Sequence, residues 1–156
     1  MSKNLKEKIE KNKKKLYSTN DKYKIFTKEL LEFLGDDFIR APASTMKSLH
    51  NAFPGGLIDH IILTTKYGVD INLSLPENIR VDNSSLIKVC FLHQIGKTFL
   101  YKLCESEWHR NNQGKMYEFK DDIVSMRVGE RSAYYSLKYG VQLSEEEYQS
   151  IINYDK

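Results

Sequence analysis

Two histidines in this chain stand at the ends of apolar runs, and an imidazole placed that way can bind a metal, hold a phosphate or sit hydrogen-bonded in a core. The first closes Asn51-Ala52-Phe53-Pro54-Gly55-Gly56-Leu57-Ile58-Asp59-His60, a tight turn that opens an apolar helix. The second lies in Leu92-His93-Gln94-Ile95-Gly96-Lys97, which follows Ser85-Leu86-Ile87-Lys88-Val89-Cys90-Phe91. That run has apolar residues at helical spacing, so His93 and Gln94 are expected at the inner end of a core helix closed by Gly96. Two helices that each present one inward His make a shared metal or phosphate pocket the first hypothesis.

Together, Gly55-Gly56-Leu57-Ile58-Asp59-His60 and Leu92-His93-Gln94-Ile95-Gly96-Lys97 resemble the HD-domain phosphohydrolases. Their pattern is roughly Ala-Tyr-Pro-Gly-Gly-Leu-Leu-Glu-His followed by Leu-His-Asp-Ile-Gly-Lys. Gly129-Glu130-Arg131-Ser132 is similar to a Gly-His-Gly-Glu-Lys-Ser segment of that family, and Ser144 to Ile152 to the helix before a further His or Asp. The resemblance implies metal ligands at His60, His93 and Gln94, with Asp155 as the closing ligand. It also implies a phosphate-orienting role for His50, which matches a family His-His-Ala-Tyr pattern, and for Lys97 after the dyad. Arg127 or Arg131 would grip an anionic ligand from the segment that closes over the pocket. Two positions depart from the pattern: Gln94 stands where the family has Asp, and Val128 where a subgroup has His. An amide offers a divalent ion only a neutral oxygen, where a carboxylate brings a full charge.

The expected fold is all-α, an HD-domain-like helical bundle with a small β-hairpin insert. Residues 1–20 read as a basic N-terminal helix and residues 21–156 as the HD-like domain. Asn20 or Asp21 would cap a second helix that ends at Gly35, and residues 36–54 would form a loop with one helical turn. A third helix is expected over Gly56 to Tyr67, with His60 on the face of Leu57, Leu63 and Thr64. Pro76 breaks the next stretch, and Asp82 or Ser84 starts the helix that delivers His93. Asn111-Asn112-Gln113-Gly114 is a turn cluster, which places the hairpin within Trp108 to Lys120. Asp121-Asp122 would precede a helix that runs through Tyr139 and stops at Gly140. Ser144 with Glu147 forms a capping box for the last helix.

A chain of 156 residues is sized for one domain that buries roughly 70% of its unfolded surface. Two cysteines without a second pair argue against a disulfide framework and Cys-type zinc sites, and fit a cytoplasmic protein. No run of apolar residues is long enough to span a membrane. Residues 1–28 hold ten Lys and three acids, a local +7, so the rest carries −4 to reach the net +3. Nucleic acid is thus a conceivable partner, yet no aromatic residue interleaves with the Lys run before Tyr17, and a solvated amphipathic helix is the favoured reading. Exposed aromatic residues leave a homo-oligomer open.

Two functions follow. One is metal-dependent hydrolysis of a nucleotide or other phosphate ester, with a divalent Mn, Fe, Co, Ni, Zn or Mg ion. The other is a catalytically degenerate HD-fold protein that acts as a binding or interaction module.

Overall fold

The computed structural model describes residues 2–154. Helices α1 (Lys3–Tyr23), α2 (Lys28–Arg40), α3 (Gly56–Ser74), α4 (Asn83–Leu92), α5 (Val128–Lys138) and α6 (Glu145–Asn153) form the body. Strands β1 (Tyr101–Leu103) and β2 (Tyr117–Phe119) make one antiparallel hairpin, with Tyr101 opposite Phe119 and Leu103 opposite Tyr117. The protein is all-α with a small β-hairpin. No helix among the described residues is long and apolar enough to cross a membrane.

One apolar core joins these elements. Leu16 of α1, Leu30, Leu34 and Phe38 of α2, Leu57 and Ile61 of α3, Phe91 and Leu92 of α4 and Ile151 of α6 all belong to it. Burying a Leu, Ile or Phe side chain contributes about 1.5–3 kcal/mol, so this cluster is the main source of stability. The basic helix α1 is therefore an integral wall of the body. Its Ile9 and Leu16 face inward while its lysines stay in water.

Several boundaries differ from the sequence expectation, each for a local reason. α1 runs on to Tyr23 and ends at Lys24 in the left-handed region. Asn20 is consumed in that turn, where its side chain accepts from Phe26 N–H at 2.8 Å, so Thr27 caps α2 instead. Gly35 does break the helix, with φ of 51°, but helical bonding resumes through Arg40 because Phe38 and Ile39 bury on the far side. α3 passes Tyr67 without stopping at Gly68, which packs near the Cys90 thiol, and continues to Ser74. Leu63 is 45% exposed, so the inward face of α3 is Leu57, Ile58, Ile61 and Thr65, with His60 at its edge.

Asp82 caps α4 as one of the two expected residues. Gly96 is not a left-handed cap: α4 ends at Leu92 and Ile95–Lys97 forms a tight 3-10 turn. The hairpin reaches further back than Trp108, because β2 pairs with Tyr101–Leu103. A π-helical turn at His109–Gln113, closed by Gly114 at φ 67°, fills the connection between them. α5 begins at Val128, leaving Asp121 to Arg127 irregular, and Gly140 adopts φ of 82° beyond its end.

The capping box of α6 is present, and it does more than cap. Glu147 accepts from the backbone N–H of Ser144, and also from Ser85 Oγ at 2.8 Å and Lys88 Nζ at 2.9 Å on α4. Burial pushes its carboxyl up, but the Lys88 ammonium and the Ser144 and Ser85 donors outweigh that and hold it below the usual range. Glu147→Gln is expected to lower stability by about 2 kcal/mol, since it removes one partner of a largely buried pair. A urea midpoint for the variant equal to that of the parent would refute this anchoring role.

Candidate functional site

The polar cluster is assembled from three backbone pieces, and the glycines explain how. Gly55 takes φ of 81°, and a Cβ there would lie 2.6 Å from Ile9 Cγ1. A Cβ on Gly56 would meet the Asn51 carbonyl oxygen at 2.0 Å. The Gly-Gly pair is thus what lets the 50–54 turn fold back on the start of α3. Gly55 N–H and Leu57 N–H bond to the carbonyls of Arg40 and Ala41, which pins the turn to the end of α2. His50 is delivered against His60 as a result, with ring centroids 4.4 Å apart and tilted by 35°.

The second half comes from α4 and the turn after it. His93 is buried, and its Nδ1–H donates to the Cys90 carbonyl at 2.8 Å, which fixes the neutral tautomer with Nε2 as acceptor. The Gln94 amide Nε2 lies 3.3 Å from His60 Nε2 and donates to it. Gln94 Oε1 is buried with no hydrogen-bond partner among the described residues. Lys97 Nζ donates to the Ala43 carbonyl at 2.9 Å. His50, His60, His93, Gln94 and Lys97 therefore belong to one neighbourhood, whereas Asp155 lies outside the described residues.

Other residues hold this neighbourhood in ways the sequence did not assign to them. Ser132 is fully buried on α5, accepts from Gly96 N–H at 2.9 Å and donates to the His93 carbonyl at 2.9 Å. A Cβ on Gly96 would lie 2.7 Å from the Val128 carbonyl, so turn and helix touch backbone to backbone. Gly129, Ser132, Ala133 and Ser136 are all buried on α5, a small-residue face at helical spacing that signals such close approach. Tyr154 stands edge-on to the His93 ring, with centroids 4.8 Å apart.

The expected anion grips behave differently. Arg127 pairs with Glu130 on the surface of α5. Arg131 is buried and donates to the Val124 carbonyl, bracing the irregular segment before α5. Tyr135 and Tyr139 pack on Phe33, with centroids 5.0 and 4.3 Å away, as core aromatics.

Electrostatics define what the cluster can hold. Burial lowers the His60 imidazole to about 4, helped by His50, Lys97 and His93 and opposed by Asp59. Burial also lowers His93 to about 4 against the raising effect of its Cys90 bond. His50 is lowered by burial and by Lys97. The three rings are thus neutral at physiological pH, beside the Lys97 ammonium. Asp59, the carboxylate next to His60, is turned elsewhere: it accepts from Lys8 Nζ at 2.8 Å, Asn12 at 3.0 Å and Asn51 at 3.1 Å.

A hard divalent ion wants carboxylates and waters around it. Among the described residues no three His, Cys, Asp or Glu side chains converge to hold one, and the donors beside His60 are neutral rings and an amide near a fixed positive charge. Comparison with protein-family models, curated proteins and solved structures finds no match to this chain. What fold and geometry define is an all-helical protein with a buried histidine–glutamine cluster beside a lysine.

Proposed function

We propose that this chain is an HD-domain-like protein whose histidine–glutamine cluster binds a phosphate-containing small molecule, such as a nucleotide, as a binding module without metal-dependent turnover. The observation that carries this reading is the charge of the cluster. His50, His60 and His93 are neutral, Gln94 is a neutral amide, Asp59 is engaged by Lys8, and Lys97 brings an ammonium. With His60 Nε2 accepting from Gln94, the His60 ring proton sits on Nδ1, where it is a donor for a phosphate oxygen, and the Lys97 ammonium attracts the anion. The exposed His50 marks the open side of the cluster.

Calorimetric titration with inorganic phosphate and nucleoside monophosphates tests this. Binding is expected to weaken at least about tenfold in Lys97→Met and in His60→Gln, consistent with loss of one charged hydrogen bond at about 1.5–3 kcal/mol. Absence of binding by the parent chain would overturn the proposal.

One observation favours the hydrolytic reading. The unpartnered Gln94 Oε1 beside His60 is an oxygen donor left open where the family Asp would bind an ion. On that reading His60, His93, Gln94 and Asp155 would hold one divalent ion, and Lys97 and His50 would orient the phosphate. Elemental analysis showing near-stoichiometric metal, with phosphate release that vanishes in His93→Ala, would establish it in place of the first.

A further inference from the structure

Away from the histidine cluster, a cavity of about 500 Å³ opens between α1, α3 and α4. Ile62 and Val69 of α3 and Phe91 of α4 form its apolar floor, and Lys15, Lys22 and Lys66 stand on its rim. At 100° per residue, Ile62, Lys66 and Val69 lie on the side of α3 opposite His60 and Thr64, so the two sites are independent. The size falls within the range of small-molecule pockets, and the combination of an apolar floor with a few polar groups is their usual makeup. Its rim is unbalanced in charge: three lysines face one carboxylate, Asp70. Lys15 and Lys66 make no ion pair among the described residues, and Lys22 lies over the Tyr23 ring with Nζ 5.0 Å from its centroid. The apolar surface continues along α1 past Lys11 and Lys14, so the cavity is the deep end of a longer basic groove.

We infer that this groove binds a single-chain amphiphile with an anionic head, a carboxylate or phosphate monoester on an apolar tail. The tail lies on Ile62, Val69 and Phe91, and the head is held by Lys15 and Lys66. Apolar burial supplies the attraction and the lysines supply the preference for an anion. An extended polyanion such as nucleic acid would engage the lysines of α1 evenly and leave the floor uncovered.

Dodecyl phosphate, kept below its aggregation concentration, is the probe, with dodecanol and inorganic phosphate as the separated halves. The expected result by titration calorimetry is one dodecyl phosphate per chain, with dodecanol and phosphate each at least about tenfold weaker at this site. Lys15→Glu with Lys66→Glu should weaken binding at least about tenfold, and Val69→Trp, which fills the floor, should abolish it. Lys3→Glu with Lys6→Glu, on the same helix but off the groove, should leave it unchanged. No binding, or equal losses for the two pairs of charge reversals, would overturn the inference. Tight binding of vesicles rich in acidic lipid without binding of the monomeric probe would overturn it too. The charge reversals lie on the surface, so they decide the matter whatever Val69→Trp does to folding.

Discussion

Gly56→Ala is expected to destabilise the protein by about 3 kcal/mol, the upper end of overpacking costs, and to abolish phosphate binding. The added methyl would sit 2.0 Å from the Asn51 carbonyl oxygen, so backbone has to move and no flexible side chain can yield instead. Asn51 is itself held at φ of 51°, and its carbonyl accepts from Ala43 N–H at 3.1 Å, so the strain spreads into the 43–51 loop. That loop carries His50 and the Ala43 carbonyl that anchors Lys97. Stability and binding should therefore fall together. Gly68→Ala is the control: its methyl would make ordinary contacts with the Cys90 sulfur at 3.5 Å and the Leu86 methyls at 3.8 and 4.0 Å, and Ala is favoured over Gly inside a helix by about 0.5–1 kcal/mol. Equal urea midpoints for the two variants would refute the account of the turn.

Acid is expected to destabilise the protein from about pH 6.5 downward, starting above the range in which carboxylates titrate. His93 is about 4 when folded against 6.5 when exposed, so the unfolded chain binds more protons between those values. The resulting stability is complete above the unfolded value, near pH 6.5, and is lost as pH falls through the window to about 4. At 1.36 kcal/mol per pH unit the whole window is worth about 3 kcal/mol. His60 acts in the same direction, and Glu147 adds its own loss at lower pH, where its depressed carboxyl finally protonates. Urea midpoints at about pH 7.5 and about pH 4.5 would read this for the parent and for His93→Gln. The parent should lose most of the window and the variant markedly less. A flat parent profile would mean that His93 is not held neutral in the fold.

How much the sequence disclosed depended on whether a signal was local. The capping box at Ser144 and Glu147, the stop at Gly140 and the start at Asp82 are written in a few adjacent residues, and the structure has all three. The all-helical class with one hairpin was equally legible from periodicity and turn chemistry. What failed was length and partnership. Helix α3 outlasts Gly68 because Thr65 and Asn72 bury against other elements, and β2 pairs with a strand that carries no turn signal of its own. Apolar pairs beyond a break, such as Phe38-Ile39 after Gly35, re-form a helix that local rules had ended.

The cluster itself was half legible. His60 and His93 stood out at the ends of apolar runs, while His50, Gln94 and Lys97 took their site roles from the family resemblance; the structure brings the five into one neighbourhood. Ser132 stood only within a matching segment and took no role from it, because a serine in a helix has no signal of its own. Its sign was collective, in the four small residues at 129, 132, 133 and 136. The partners of Asp59, Lys8 and Asn12 on the basic helix, were also invisible, since they depend on where that helix docks.

The backbone contact between the Ile95–Lys97 turn and α5 separates two things that proteins often entangle. Ser132, Gly96 and the Val128 carbonyl fix where residues 93–97 stand, while the Gln94 side chain makes its hydrogen bond to His60. The identity of residue 94 is thus decoupled from the scaffold that presents it. A chain built this way can change the group presented at that position without rebuilding the turn that carries it.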